Sequence, residues 1–170
     1  MRLVEDKTAL MQRLRSILAE WSPAVSVLCT DLNRQWQRAL LARWPLHEDL
    51  AAVHANTLRA FCAECRLSAK ARERLSTVIA EPPLFVPTGR KAALRLEISV
   101  LLDQLELLID RLQQVARELE EAFVAHPNYV IFNSLPVKGA RALAMIAGAF
   151  GDRRPDPPGW RELAARWGLG

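Results

Sequence analysis

Glycine, tyrosine and long apolar runs are scarce in this sequence, and each scarcity narrows the range of folds. The 170 residues include 7 glycines and 1 tyrosine, whereas leucine, alanine, arginine and glutamate dominate. This composition favours helices over sheets. No segment approaches the roughly 20 consecutive apolar residues that cross a bilayer, and Glu5 and Asp6 stand where a secretory signal would be apolar. We therefore expect an all-α protein that is cytoplasmic and has no membrane partner.

Cysteine is also rare, with an odd count of 3. An odd count predicts no disulfide framework, in keeping with a reducing compartment. Cys62 and Cys65 are spaced like one half of a zinc site, with His54 nearby, but a four-ligand site needs a second close pair. Both lie in a helical stretch, where cysteine behaves as a small buried hydrophobe. We expect free thiols and no metal or other cofactor in this chain.

Carboxylates clustered at strand ends, as a magnesium-dependent nuclease requires, are missing as well. Asp103, Glu106 and Asp110 instead follow one another at spacings of 3 and 4 residues. This spacing places them together on the solvent face of a predicted helix. We expect them to contribute solubility and to pair with basic side chains of a neighbouring helix.

What the chain does have is a large apolar fraction and an uneven charge. With 51% hydrophobic residues it can bury a proper core, and its net charge is +4. Residues 94–125 hold 3 basic and 7 acidic side chains, so the rest of the chain holds 20 basic and 12 acidic ones. A basic body beside one acidic helix fits a nucleic-acid partner. The alternative is an ordinary solvated surface.

Apolar residues at helical spacing predict several helices before residue 81. A stripe through Leu3, Leu10, Leu14, Ile17 and Trp21 predicts a first helix that ends before Pro23. The prolines and glycine of residues 81–90 predict a linker. Between them lies an insert spanning residues 31–80. We expect its first helix to be capped by Asp31 and to continue to Arg43, and its last helix to be capped by Ser68 and to continue to Ala80. Two short helices, over 47–55 and 57–65, are expected between these two.

Residues 91–125 carry an unbroken heptad pattern that predicts one long coiled-coil helix. Leu102, Ile109 and Phe123 fall at heptad e positions, so the apolar stripe is too wide for a single partner helix. We expect helix one to cover part of it and a second copy of the chain to cover the rest, giving a homodimer. The alternative is a helical bundle core with no dimer. The heptad core residues are Ile98, Leu101, Leu105, Leu108, Leu112, Val115 and Leu119.

After Pro127, residues 128–150 predict a helix, a tight turn and a second helix. The segment SLPVKGARALAMIAGAFGD (134–152) resembles a helix-hairpin-helix, whose glycines bring backbone N–H groups against a phosphate. Gly139 matches the second glycine of that turn and Val137 replaces the first, while Lys138 and Arg141 can supply charge. A simple helical hairpin is the alternative.

The densest basic cluster lies in the insert. Arg66, Lys70, Arg72 and Arg74 follow Arg59 and would track one broad helical face, where phosphate contact is expected. A solvated face is the alternative, because interleaved glutamates can pair with these cations.

Several of these stretches, taken in order, resemble one family, the DEDD-type insertion-sequence transposases that are guided by a bridge RNA. RLRSILAEWSPAV (13–25) resembles the helix that follows the family's RuvC-like domain. WQRALLARWP (36–45), through to CRLSAKAR (65–72), resembles its helical insert. LRLEISVLLDQLELLIDRL (94–112) is similar to its long coiled-coil helix. HPNYVIFNSLPVKGARALAMIAGAFGD (126–152) and ELAARWGLG (162–170) resemble the opening of its C-terminal transposase domain.

The resemblance implies two domains and a role in DNA transposition. Residues 1–125 would form a helical and coiled-coil domain, and 126–170 the truncated start of the transposase domain. DNA and a structured guide RNA are the partners it implies, with Mg²⁺ only in the domain that carries the acidic ligands. Because those ligands precede the matched region and the family's nucleophilic serine follows it, we expect no catalytic residue here and no DNA cleavage by this chain alone. The competing hypothesis is a structural coiled-coil protein that binds no nucleic acid.

Overall fold

Apolar residues at helical spacing fold into helices throughout the part of the chain that the structure describes. The structure is a computed structural model that describes residues 2–126 and 129–133 together with Gly139, and no strand occurs within these residues. The prediction of an all-α fold is confirmed. The helices in these ranges are α1 (Arg2–Trp21), α2 (Pro23–Leu28), α3 (Gln35–Arg43), α4 (His47–Ala51), α5 (Ala55–Glu64), α6 (Ala69–Ala80), α7 (Thr88–Val124) and α8 (Tyr129–Asn133).

The chain divides at residue 110 into two units. In the first unit, one core collects side chains from α1 to α7, among them the fully buried Leu14, Leu40, Phe61 and Leu105. Helix α2 packs against α1 and α6, and α6 also packs against α4. Each fully buried leucine or phenylalanine stabilises such a core by about 1.5–3 kcal/mol.

Helix α1 ends at Trp21, before Pro23, as the sequence predicts. Leu14 of the predicted stripe is fully buried, and Leu18 beside it is buried too. Leu3, at the start of the stripe, is 36% exposed. The core therefore receives the second half of α1 rather than its whole length.

Residues 23–28 form helix α2, which lies in a stretch for which the sequence predicts no helix. Pro23 occupies the first turn, where the missing N–H costs no hydrogen bond. Val25 and Leu28 are buried. Tertiary burial therefore supports a helix too short to be stable in isolation.

Asp31 does not cap α3 as predicted. Helix α3 begins at Gln35, and the Asp31 carboxylate instead accepts hydrogen bonds from the backbone N–H and side-chain amide of Asn33 and from Arg34. An aspartate bonded to the backbone two residues ahead closes a turn of its own. This turn places Arg34 directly before α3.

The end of α5 and the start of α6 form a continuous capped turn. Arg66 has a φ of 48°; its N–H donates to Ala63 O at 3.1 Å, and the N–H of Leu67 donates to Cys62 O at 3.0 Å. This pair of bonds is the Schellman motif, in which a left-handed residue closes a helix. Ser68 then caps α6 as predicted, because its Oγ accepts a hydrogen bond from the Ala71 N–H.

Helix α7 is continuous, as the heptads predict, but it begins at Thr88 rather than near residue 91. The Pro87 carbonyl accepts hydrogen bonds from the N–H groups of Arg90 and Lys91 and so starts the helix. The linker between α6 and α7 is therefore residues 81–87. A proline just outside a helix leaves its carbonyl available for this purpose.

Charged side chains connect α7 to α4. Arg95 donates to both carboxylate oxygens of Asp49, at 2.6 and 3.1 Å, and to Glu48 at 3.2 Å. Lys91 pairs with the same Glu48 at 2.5 Å. All four groups are partly shielded from water, which screens such pairs less than fully exposed ones.

Two further contacts connect α7 to α1. Arg13 pairs with Glu97 at 3.0 Å, and the Arg90 guanidinium lies 4.4 Å from the centre of the Trp21 ring. Helix one therefore contacts the long helix at two points, as the sequence predicts.

In the second unit, the end of α7 and α8 meet through aromatic rings. The Phe123 and Tyr129 rings lie 5.3 Å apart in an edge-to-face arrangement. Phe123, one of the predicted e positions, is buried. Val115 and Leu119 are 50% and 38% exposed, so part of the heptad stripe here faces solvent.

Candidate nucleic-acid interface

Two of the predicted phosphate-binding cations share one face of α6. Lys70 and Arg74 are four residues apart on this helix and are therefore neighbours on its surface. Both are exposed. Neither forms a hydrogen bond or an ion pair with any residue in the described part of the chain. Within the described residues, no carboxylate neutralises these two positive charges.

A hollow of about 140 Å³ opens beside this face. Lys70 and Arg74 line it from α6, and Arg34 and Trp36 line it from the start of α3. Leu28 and Thr30 close its third side. The fold therefore brings three cations and one aromatic ring, from segments far apart in sequence, around one small space.

One acidic residue also lines this hollow, and it is already paired. Asp31 lies 3.2 Å from Arg34 Nε. The hydrogen bond from the Asn33 side chain, with a further contribution from Arg34, lowers the pKa of the Asp31 carboxyl. Asp31 is therefore ionised at neutral pH and offsets one of the three cations. The net charge of the side chains that line the hollow is therefore positive.

Trp36 is held in place by the core. Its ring is half-buried and packs against the apolar cluster. Next to it, Gln37 is buried, and its amide oxygen accepts a hydrogen bond from the Asp31 N–H at 2.8 Å. The aromatic side of the hollow is thus rigid, which lowers the entropy lost when a ligand contacts it.

Arg72 lies on a different face from Lys70 and Arg74. Its Nε donates to the Leu67 carbonyl at 3.0 Å, and it lines a separate cavity of about 250 Å³ together with Arg59 and Cys62. Residues two apart on a helix do not face the same way. The predicted basic cluster is therefore divided between two cavities.

Arg66 has a structural role in addition to its charge. Its side chain is exposed, while its backbone closes α5 in the left-handed conformation described above. This conformation is uncommon for a residue with a Cβ atom. Arg66 lines neither cavity.

The three cysteines are free, as predicted. Burial raises the pKa of the Cys29 thiol to about 12, and burial is also the largest cause of the raised pKa values of Cys62 and Cys65. Thiols with raised pKa values are poor nucleophiles and poor metal ligands. Within residues 2–126 and 129–133, no group of three or more His, Cys, Asp or Glu side chains is placed to hold a metal ion.

The predicted hairpin lies almost wholly outside the described residues, and this includes Lys138 and Arg141. Gly139 is described and has a φ of 107°, a backbone conformation that residues with a Cβ rarely adopt. Glycine therefore fits this position because it adopts a positive φ without steric strain. Whether the segment binds phosphate stays a prediction.

The predicted coiled-coil residues differ in burial along α7. In the first unit, Ile98, Leu101 and Leu105 are buried and Leu108 is half-buried. In the second unit Leu112 is half-buried, whereas Val115 and Leu119 are exposed.

Sequence reasoning missed Arg34 and Trp36. Both occur in a short basic and aromatic run, Arg34-Gln35-Trp36, which is the only local feature that points to them. Their proximity to Lys70 depends on how α3 and α6 pack. No spacing along the chain could reveal that contact.

Comparison with protein-family models, curated proteins and solved structures finds no match for this chain. Among the described helices, none is long and apolar enough to cross a membrane. The function is therefore inferred from the side chains that the fold places together.

Proposed function

We propose that this chain is a transposase-derived helical module that binds DNA and structured RNA and self-associates, without cleaving DNA itself. The observation that carries the proposal is the hollow lined by Lys70, Arg74, Arg34 and Trp36, in which Lys70 and Arg74 have no ion-pair partner among the described residues. The segment order that resembles insertion-sequence transposases supports the same partners. We place this activity in the cytoplasm, in keeping with three free cysteines.

Phosphate binding follows from the chemistry of these groups. Lys70 presents an ammonium and Arg74 a guanidinium, and both exchange water for phosphate oxygens at little cost because they are exposed. Each phosphate that they neutralise releases counterions from the nucleic acid, which drives binding in a salt-dependent manner. Trp36 adds a flat apolar surface beside the charged groups.

Fluorescence anisotropy with a labelled DNA duplex and a labelled RNA hairpin tests this proposal across a series of salt concentrations. We expect affinity to fall steeply with salt. The double variant Lys70→Ala, Arg74→Ala should bind both probes more weakly, and its plot of log affinity against log salt should be shallower by about 2.

The matched control is Arg2→Ala, Arg117→Ala, which removes the same charge from two exposed positions that do not line the hollow. We expect it to keep most of the affinity. If the two double variants bind alike, the hollow is not the interface. If the wild-type chain binds neither probe, the competing structural role is the better account.

Self-association is the second part of the proposal, and the exposed heptad residues of α7 favour it. Val115 and Leu119 continue a stripe that is buried earlier in the helix, and solvent reaches both. Apolar stripes at heptad spacing pair with a second helix of the same kind. A second copy of the chain supplies such a helix.

Sedimentation equilibrium at roughly tens of micromolar, a concentration suited to weak dimers, tests this second part. The variant Val115→Lys, Leu119→Lys should be monomeric, while the wild type should be dimeric. The control Val100→Lys, Leu96→Lys changes the same residue types at exposed positions of the same helix and should stay dimeric. A monomeric wild type would contradict self-association and leave the nucleic-acid result untouched.

A further inference from the structure

A larger cavity of about 680 Å³ lies between α2, α6 and the proline-containing linker. Its lining is mainly apolar and includes Val27, Leu28, Val78 and Leu84. The volume falls within the range of about 300–1,000 Å³ that is common for small-molecule sites. The cavity can therefore hold an organic group of moderate size.

This cavity and the cationic hollow share three lining residues, Leu28, Thr30 and Arg74. Arg74 thus presents its charge at the boundary between an apolar space and a space lined by Lys70 and Arg34. A ligand that spans this boundary needs an anionic part and an apolar part joined to each other. The two parts would contact Arg74 together.

The walls at this boundary are fixed. The Thr30 carbonyl accepts a hydrogen bond from Arg15 at 2.6 Å, and the buried His47 ring contacts the Val78 carbonyl through Nε2 at 2.7 Å. Leu28 is buried in the core. The backbone of Thr30 and of Val78 in the cavity wall is thus held by side chains from other segments, Arg15 and His47.

We propose that these joined cavities bind an unpaired nucleotide of a nucleic-acid strand, with its phosphate in the hollow and its base in the larger cavity. This inference rests on the proposed function and names the part of the nucleic acid that is recognised. A nucleotide joins a phosphate to a flat base whose faces are apolar and whose edge bonds to polar groups. Thr30 and Thr77 line the apolar cavity. The Thr77 hydroxyl donates to the Glu73 carbonyl at 3.1 Å and can still accept a hydrogen bond from that edge.

A base inside a regular duplex cannot enter this cavity, because it is stacked and paired. A base in a bulge or loop is already unstacked and enters at little cost. The chain should therefore prefer nucleic acids that carry an unpaired nucleotide over those that are fully paired. The adjoining cations favour a polyanionic strand over an uncharged apolar ligand.

Two labelled RNA duplexes that differ only by one bulged nucleotide test this inference by fluorescence anisotropy. We expect the wild type to bind the bulged duplex about 10-fold more tightly than the paired one, since burying the apolar faces of one base against aliphatic side chains contributes on this scale. The variant Val27→Asn, Leu84→Asn removes two exposed apolar side chains that line the larger cavity but not the hollow, and it changes no charge. It should bind both duplexes with the affinity that the wild type has for the paired one.

The matched control is Val4→Asn, Leu96→Asn, which changes the same residue types at exposed positions outside both cavities, and it should keep the preference for the bulge. Circular dichroism confirms that each variant is folded. Equal binding of the two duplexes by the wild type, or a preference that survives in Val27→Asn, Leu84→Asn, overturns the inference while leaving phosphate binding intact. Loss of all binding by the wild type would instead refute the proposed function.

Discussion

Arg38 is 6% exposed within the core, and its Nε donates to the Glu106 carboxylate at 2.6 Å. The same guanidinium donates to the carbonyls of Leu32 and Asn33 at 2.9 and 2.7 Å. One buried cation thereby connects the turn before α3 to α7. Its charge is compensated by one carboxylate and two carbonyl dipoles.

Replacing Arg38 with Ala should lower the free energy of unfolding by about 3–5 kcal/mol, because the change leaves the Leu32 and Asn33 carbonyls without their donor and opens a cavity in the core. Glu106→Gln should cost about 1 kcal/mol, since Glu106 is half-exposed and Gln can still accept a hydrogen bond. Urea unfolding measures both values. Equal costs for the two variants would contradict this account of the pair.

Replacing Leu105 with Asp should destabilise the first unit by about 4 kcal/mol or more, because the new carboxylate would be buried among apolar side chains without a partner. Leu105 is fully buried, whereas Leu96 on the same helix is 67% exposed. The control Leu96→Asp should therefore change stability by no more than about 0.5 kcal/mol. If the melting temperature of Leu105→Asp equals that of the wild type, the heptad assignment is wrong.

Replacing Arg66 with Gly should stabilise the protein by about 0.5–1 kcal/mol, because glycine adopts the left-handed conformation of this turn without a Cβ clash. Arg66→Ala removes the same charge but keeps the Cβ, so it should give no such gain. Thermal unfolding compares the two variants. If both variants gain the same stability, the loss of the Arg66 charge explains the gain and the backbone conformation does not.

The buried Cys29 thiol should make stability fall at high pH. Its pKa in the folded chain is about 12, against an ordinary value of 9.0. Above that ordinary value the unfolded chain loses the proton that the folded chain retains, so the contribution to stability is complete below pH 9 and is lost as the pH rises towards 12. The slope should approach about 1.4 kcal/mol per pH unit.

Urea unfolding of the wild type and of Cys29→Ala at several alkaline pH values isolates this effect. The variant is less stable at neutral pH because of the smaller side chain, yet its dependence on alkaline pH should be flatter. Parallel curves for the two proteins would exclude Cys29 as the source.

The sequence predicts the parts of this fold that depend on local periodicity. The long helix and the cap at Ser68 follow from spacing and from one side chain, and the structure has both. Helix α2 is missed because six residues carry too little periodicity, and its stability comes from the burial of Val25 and Leu28. The prediction that Asp31 caps α3 is wrong because an aspartate can close a turn of its own as readily as it caps a helix.

The sequence predicts only half of the residues that form the candidate site. Lys70 and Arg74 are apparent as a basic cluster, but the separation of Arg72 from them follows only once the helix phase is considered. Arg34 and Trp36 join the site through tertiary packing of α3 against the rest of the core. Contacts between distant segments of this kind leave no trace in local spacing.

The bonds that hold α7 change in kind along its length. Arg95 and Glu106 are bonded to other helices, whereas Arg111 donates to Gln114 and Gln114 to Glu118 within α7 itself. Because side chains of the first stretch bond to other helices, exchange of its amide hydrogens requires several helices to separate together. Deuterium uptake measured turn by turn along α7 would thus mark how far this cooperative unit extends.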